Sequence, residues 1–199
     1  MPLPSRQELA ELLSQNKIEE IEVLLDVSLP EMLRDSSSFL FAKNHEDSAE
    51  FLLAVAGGPQ PSLVLDALVE LARSSITPLS TWPRLTLDGL SKLFGASPAA
   101  RRHFKSHPAH IEALVDESTL RQARHLDDFK AEVESLSLIH KQGEIFLQNL
   151  RRYRVAQWLR IGLREVLRLD EVEVVLAEIS DLAEAMISVV TERALANEK

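Results

Sequence analysis

The sequence predicts an all-α protein, a multi-helix bundle with long antiparallel helices in its C-terminal half. Three observations carry this. Apolar residues recur at three- and four-residue spacing through most of the 199 residues. Proline, glycine and serine fall as punctuation between those stretches, and from Ser118 to Lys199 there is no proline and the glycines are only Gly143 and Gly162. No stretch alternates apolar and polar residues over about six positions between turn signals, as a half-buried strand would.

Taken in order, Ser5-Arg-Gln-Glu8 is a capping box that opens a helix with Leu9, Leu12 and Leu13 on its apolar face. Ile18, Ile21, Leu24 and Leu25 mark a second helix that ends before Pro30. Pro30 then suits the first turn of a short third helix, which the run of Ser36, Ser37 and Ser38 interrupts. Helical spacing resumes from Asp47 to Ala56, and Gly57-Gly58-Pro59-Gln60-Pro61 forces a turn. Ser62 is expected to cap a helix to Ser74 with Val64, Leu65, Leu68, Leu71 and Ala72 inward. Pro78 and Pro83 bracket a connection. A helix from Arg84 to Phe94 is expected to stop at Gly95, and Ser97-Pro98 restarts the chain as N-cap and first-turn proline, a pattern that His107-Pro108 repeats. Long helices are expected over residues 120–141, 144–168 and 171–196, the last capped by Asp170. Its apolar stripe runs through Val172, Val175, Leu176, Ile179, Leu182, Ala183, Met186, Val189 and Val190. The expected organisation is a set of short helices over 1–60 and a bundle over 61–199, or one continuous domain.

Composition narrows the function. A formal charge of -9 argues against nucleic acid as the main partner, since phosphate binding needs clustered Lys and Arg. With zero cysteines there is no disulfide, thiolate metal site or thiol nucleophile. The N-terminus lacks a basic stretch followed by an apolar one, and no apolar run approaches the roughly 20 residues that span a bilayer, so the expected location is cytoplasmic, away from membranes.

No catalytic constellation is found. The glycines form neither a phosphate loop nor a dinucleotide fingerprint. Gly57-Gly58 and Asp66 faintly resemble a nucleotidyltransferase turn, but position 68 is Leu68 in a helical pattern, and no Asp-x-Asp occurs. His103, His107 and His110 share helical spacing, yet Pro108 interrupts it and no carboxylate completes a metal site. They read as surface histidines in a basic turn, so no catalytic, cofactor or metal residue is assigned.

The electrostatic feature that stands out is the stretch from Lys141 to Arg168, with seven Lys or Arg against Glu144 and Glu165. From Asp170 to Lys199 the sign reverses. Arg151, Arg152, Arg154, Arg160 and Arg164 are therefore candidate partner-binding residues, with pairing to Glu173, Glu178 or Glu184 the favoured alternative. Arg160, Arg164 and Arg168 share a stripe, Val155, Leu159, Ile161 and Leu163 supply the inward face, and Arg154 can reach over Trp158. As exposed pairs, Arg160 and Arg164 should be replaceable by glutamine at little cost.

Three stretches carry a family resemblance. Leu90-Ser-Lys-Leu-Phe-Gly-Ala-Ser-Pro98 followed by His107-Pro108, the arginine-rich Leu150-Arg-Arg-Tyr-Arg-Val-Ala-Gln-Trp-Leu-Arg-Ile-Gly-Leu-Arg164, and Ile179-Ser-Asp-Leu-Ala-Glu-Ala-Met-Ile187 resemble the helical region beside the nucleotidyltransferase domains of bacterial glutamine synthetase adenylyltransferase. The likeness spans roughly residues 65–195, and Glu165 stands where that family usually has aspartate. It implies a non-catalytic support for attaching AMP to, or removing it from, glutamine synthetase in nitrogen regulation. ATP and magnesium would belong to a catalytic domain expected later in the chain. The implied partners are glutamine synthetase, the PII protein or that catalytic domain. A stand-alone helical interaction module is the other reading.

Overall fold

A computed structural model describes residues 3–34, 44–75, 81–140 and 143–197. Among the described residues there is no strand, and no helix is long and apolar enough to cross a membrane. The chain packs as two units, Met1–Glu117 and Ser118–Lys199. The expected boundary after residue 60 lies inside the first of them.

The first unit contains α1 (Arg6–Ser14), α2 (Ile18–Leu25), α3 (Glu31–Arg34), α4 (His45–Ala56), α5 (Pro61–Ser74), α6 (Arg84–Ala96), α7 (Pro98–Ser106), a 3-10 turn (Pro108–Ile111) and α8 (Glu112–Val115). Ser5 caps α1 by accepting from the Glu8 amide at 3.2 Å, and Leu9 and Leu13 bury against α4. The serine run at 36–38 and Pro78 lie outside the described residues.

Two local expectations change. Helix α5 begins one residue earlier than Ser62, because Pro61 fits its first turn and Gln60 takes the capping position in the left-handed region at φ 55. The Ser62 hydroxyl instead accepts from the Ser28 amide at 3.5 Å. Gly95 does not end α6, which continues to Ala96 and stops at Ser97. A Cβ on Gly95 would sit 2.9 Å from both Pro59 Cγ and Pro59 O, so the glycine lets the 57–61 turn lie against the helix. Gly95→Ala should therefore lower unfolding free energy by about 1 to 3 kcal/mol through overpacking. Gly143→Ala, where a Cβ meets nothing within 4 Å, should leave stability level or raise it by up to about 1 kcal/mol. Urea titration of both variants checks the contrast.

Ser97 and Pro98 start α7 as expected, the serine hydroxyl accepting from the Ala100 amide at 3.2 Å. His107 breaks the chain too, but it contributes no side-chain cap and the restart is the 3-10 turn.

The second unit is built on α9 (Glu117–Arg121), whose first residue is the last of the first unit, and on α10 (Leu126–Ile139), α11 (Gly143–Leu167) and α12 (Val172–Asn197). The single helix expected over 120–141 is thus interrupted at residues 122–125, where no proline or glycine occurs. Side chains from the later helices hold that interruption open, as described below. Successive long helices run antiparallel, which places α10 and α12 in the same direction. Contacts along this pair advance from the Arg124 amide, two residues before α10, on Glu178 to Arg193 on the Ser137 carbonyl, both at 2.9 Å.

Two linked clusters form the core of this bundle. Phe129, Ile161, Val175, Leu182 and Ala185 make one; Val133, Phe146, Leu150 and Val189 make the other, and Tyr153 and Met186 touch both. The seam of α12 is narrower than its apolar face: Val175, Glu178, Leu182, Ala185 and Val189 are buried, while Val172, Leu176, Ile179 and Ala183 are exposed. Two helical neighbours cover only one side of a cylinder, so the second apolar row stays outside. Asp170 does not cap α12, which begins at Val172 and so places Glu171 at the capping position; the Asp170 carboxylate accepts from Arg164 instead.

Candidate functional site, an arginine-rich helix with two faces

Helix α11 carries all five arginines singled out from the sequence, and its 25 residues present them to two different environments. Arg160 and Arg164 point inward. They are 2% and 0% exposed, and Glu178 of α12, between them, is 2% exposed. Leu159, Ile161 and Leu163 share their burial, while Val155 is half-buried.

The inward arginines belong to one network. Arg160 donates to the Glu178 carboxylate through Nη2, to Gln157 Oε1 at 2.9 Å through Nε, and to the Gln122 carbonyl at 3.1 Å through Nη1. Arg164 donates to the Leu120 carbonyl and to Asp170, and its Nε lies 3.4 Å from Glu178 Oε2. Glu178 also accepts from the Arg124 amide. Arg124 in turn holds both Glu132 oxygens at 2.7 and 2.8 Å, and Tyr153 donates to Glu132 at 2.6 Å. Three guanidinium groups thus meet three carboxylates, and the formal charges cancel.

The same contacts explain the break in the chain. Backbone groups at 120, 122 and 124 that a continuous helix would satisfy internally are instead bonded to Arg164, Arg160 and Glu178. Burial pushes Arg160 down from the ordinary guanidinium range, opposed by its bond to Glu178. Burial and then the bond to Glu132 push the Tyr153 hydroxyl up, so it stays a proton donor. Chemically this is a clamp: most of its donors are bonded inside the unit, and Arg164 Nε faces Glu178 Oε2 across an ion-pair distance without a hydrogen bond.

The outward face differs. Arg151, Arg152 and Arg154 are exposed, and among the described residues none of them forms an ion pair. Leu147, Arg151, Arg154 and Trp158 fall on one side at three- and four-residue spacing, with Trp158 62% exposed. Among the described residues the guanidinium-over-ring contacts are Arg84 on Phe51 and Arg193 on Phe146, so the Arg154–Trp158 stack is not formed. Arg168 leaves the stripe of Arg160 and Arg164: it follows the end of α11 in the left-handed region at φ 54 and is exposed. The expectation that Arg160 and Arg164 are exposed and cheaply replaced is corrected by their burial. Residue spacing alone hid this, because an arginine row and an apolar row alternate within one turn.

In the first unit the three histidines are not scattered on the surface but stacked and half-buried. His103 Nε2 lies 2.8 Å from His110 Nδ1, and the His103 and His107 rings are 4.8 Å apart and nearly parallel. Among the described residues no group of three or more His, Cys, Asp or Glu is placed to hold a metal ion. Burial, then His110 and His107, push His103 down from 6.5 to about 4. A histidine whose folded value lies below its unfolded one contributes stability above pH 6.5 and loses it as pH falls towards 4. Stability should decline across that window by on the order of 1 kcal/mol, discounted for the half-exposed setting. His103→Gln should flatten the slope in a pH series of urea titrations.

Residues 87–199, more than half of the chain, match a family model described as glutamate-ammonia ligase adenylyltransferase. The match contains the whole of α11 and both of its faces. No solved structure matches the chain.

Proposed function

Given that the chain belongs to the glutamate-ammonia ligase adenylyltransferase family, we propose that it is a non-catalytic helical region of such a protein, supporting nucleotidyl transfer to or from glutamine synthetase in nitrogen regulation. Glutamate-ammonia ligase is glutamine synthetase, the protein substrate that this description names. The division of α11 supports the reading. Its inner arginines fix the shape of the bundle, and its outer arginines, with Trp158, offer an unpaired basic surface with an aromatic anchor, a combination that favours protein docking. The surface would position glutamine synthetase, the PII protein or the catalytic domain, while ATP and magnesium would be handled by that domain. The sequence supports a non-catalytic role, since no pair of aspartates at strand spacing is present to hold magnesium.

The purified 199-residue protein, incubated with glutamine synthetase, radioactive ATP and magnesium, is expected to transfer no label. Stoichiometric labelling of glutamine synthetase would overturn the proposal. Loose ATP binding would not, because exposed guanidinium groups hold phosphates without performing transfer.

A further inference from the structure

In the first unit, α1 and α2 form a helical hairpin turned through Asn16, which sits in the left-handed region at φ 54. Leu9 and Leu13 bury one side of α1 against α4. On another side a groove of about 650 Å³ runs between α1 and α2. Leu12, Val23 and Leu24 give it apolar surface, and Val23 is 77% exposed. Glu8, Glu11, Glu19 and Glu20 line it against a single cation, Lys17, which already pairs with Glu20 at 3.1 Å. Among the described residues Glu8, Glu11 and Glu19 form no ion pair.

We propose that this groove docks a basic amphipathic helical segment of a protein partner, about two turns long. Its length follows from α1 and α2, of nine and eight residues, at about 1.5 Å per residue. Apolar side chains at three- and four-residue spacing would cover Leu12, Val23 and Leu24, and flanking Lys or Arg would meet the unpaired glutamates. The charge selects this occupant. Nucleic acid and anionic membranes share the sign of the groove, and a symmetric pairing of two copies through it would set each glutamate against its own kind. The groove also lies outside residues 87–199, so it belongs to the part of the chain that the family match does not cover.

Fluorescence anisotropy of the full chain tests this with a labelled, amidated helical peptide of leucine and lysine, and with its leucine and glutamate counterpart. The lysine peptide should bind at least about tenfold more tightly than the glutamate peptide, and more weakly as salt rises. Replacing Glu8, Glu11, Glu19 and Glu20 by glutamine should weaken it by about tenfold or more, and Val23→Ser by several-fold without any change of charge. A control removes the same number of exposed carboxylates elsewhere, as Glu134→Gln, Glu165→Gln, Glu173→Gln and Glu184→Gln, and should bind as the parent does. Equal loss in the control would show general attraction to an acidic protein and overturn the proposal. So would unchanged binding by the groove variant. Self-association of the chain that the groove variant abolishes would assign the groove to a second copy instead, and would equally overturn it.

Discussion

Glu178→Ala is expected to destabilise the protein by about 3 to 5 kcal/mol, the range for removing one partner from a buried ion cluster. The size follows from what remains. Arg160 and Arg164 are 2% and 0% exposed, so neither can turn to water when the carboxylate between them is lost. The Arg124 amide loses its acceptor at the same time. Asp170 still faces Arg164, but Arg160 keeps only neutral partners in Gln157 and the Gln122 carbonyl. Glu184→Ala, an exposed change on the same helix, should stay within about 0.5 kcal/mol. Urea unfolding of both proteins measures the difference, and a loss below about 1 kcal/mol for Glu178→Ala would mean that the cluster is hydrated in solution.

How much of this was legible beforehand differs between the two halves of the problem. Helix positions followed from apolar spacing and caps: Ser5, Ser97 with Pro98, and the 57–61 turn all act where their chemistry places them. Where tertiary contacts overrule local signals, the sequence pattern misleads. Residues 122–125 contain no helix breaker; the distant Arg160, Arg164 and Glu178 hold their backbone, and the Asp128 carboxylate accepts from the His125 amide to cap the restart. Gly95 looked like a terminator because a glycine near a helix end usually is one, whereas here it makes room for Pro59. In the candidate site, the arginine-rich character of α11 was visible, and so was the idea that its charges meet those of α12. Which arginines turn inward was not. Arg160 and Arg164 are four apart, as exposed pairs often are, and Glu178 stands in an apolar seam at a position that an apolar residue would ordinarily fill.

The second large effect separates the two faces of α11. Arg160→Gln with Arg164→Gln should lower unfolding free energy by about 3 kcal/mol or more, because Glu178 is left buried without a cation. The same substitution at Arg151, Arg152 and Arg154 touches only exposed side chains and should leave stability within about 0.5 kcal/mol. Binding should respond in the opposite sense. A complex held partly by the outer guanidinium groups should weaken by roughly tenfold to a hundredfold when all three are neutralised, and its salt dependence should flatten.

Affinity for glutamine synthetase, for PII and for the catalytic domain, measured across a salt series beside the melting temperature, tests this division most directly. The expected result is salt-sensitive binding to one of these three that is lost in the Arg151→Gln, Arg152→Gln, Arg154→Gln protein at an unchanged melting temperature. Unaltered affinity in that variant, or a melting temperature lowered as far as in the Arg160→Gln, Arg164→Gln protein, would contradict it.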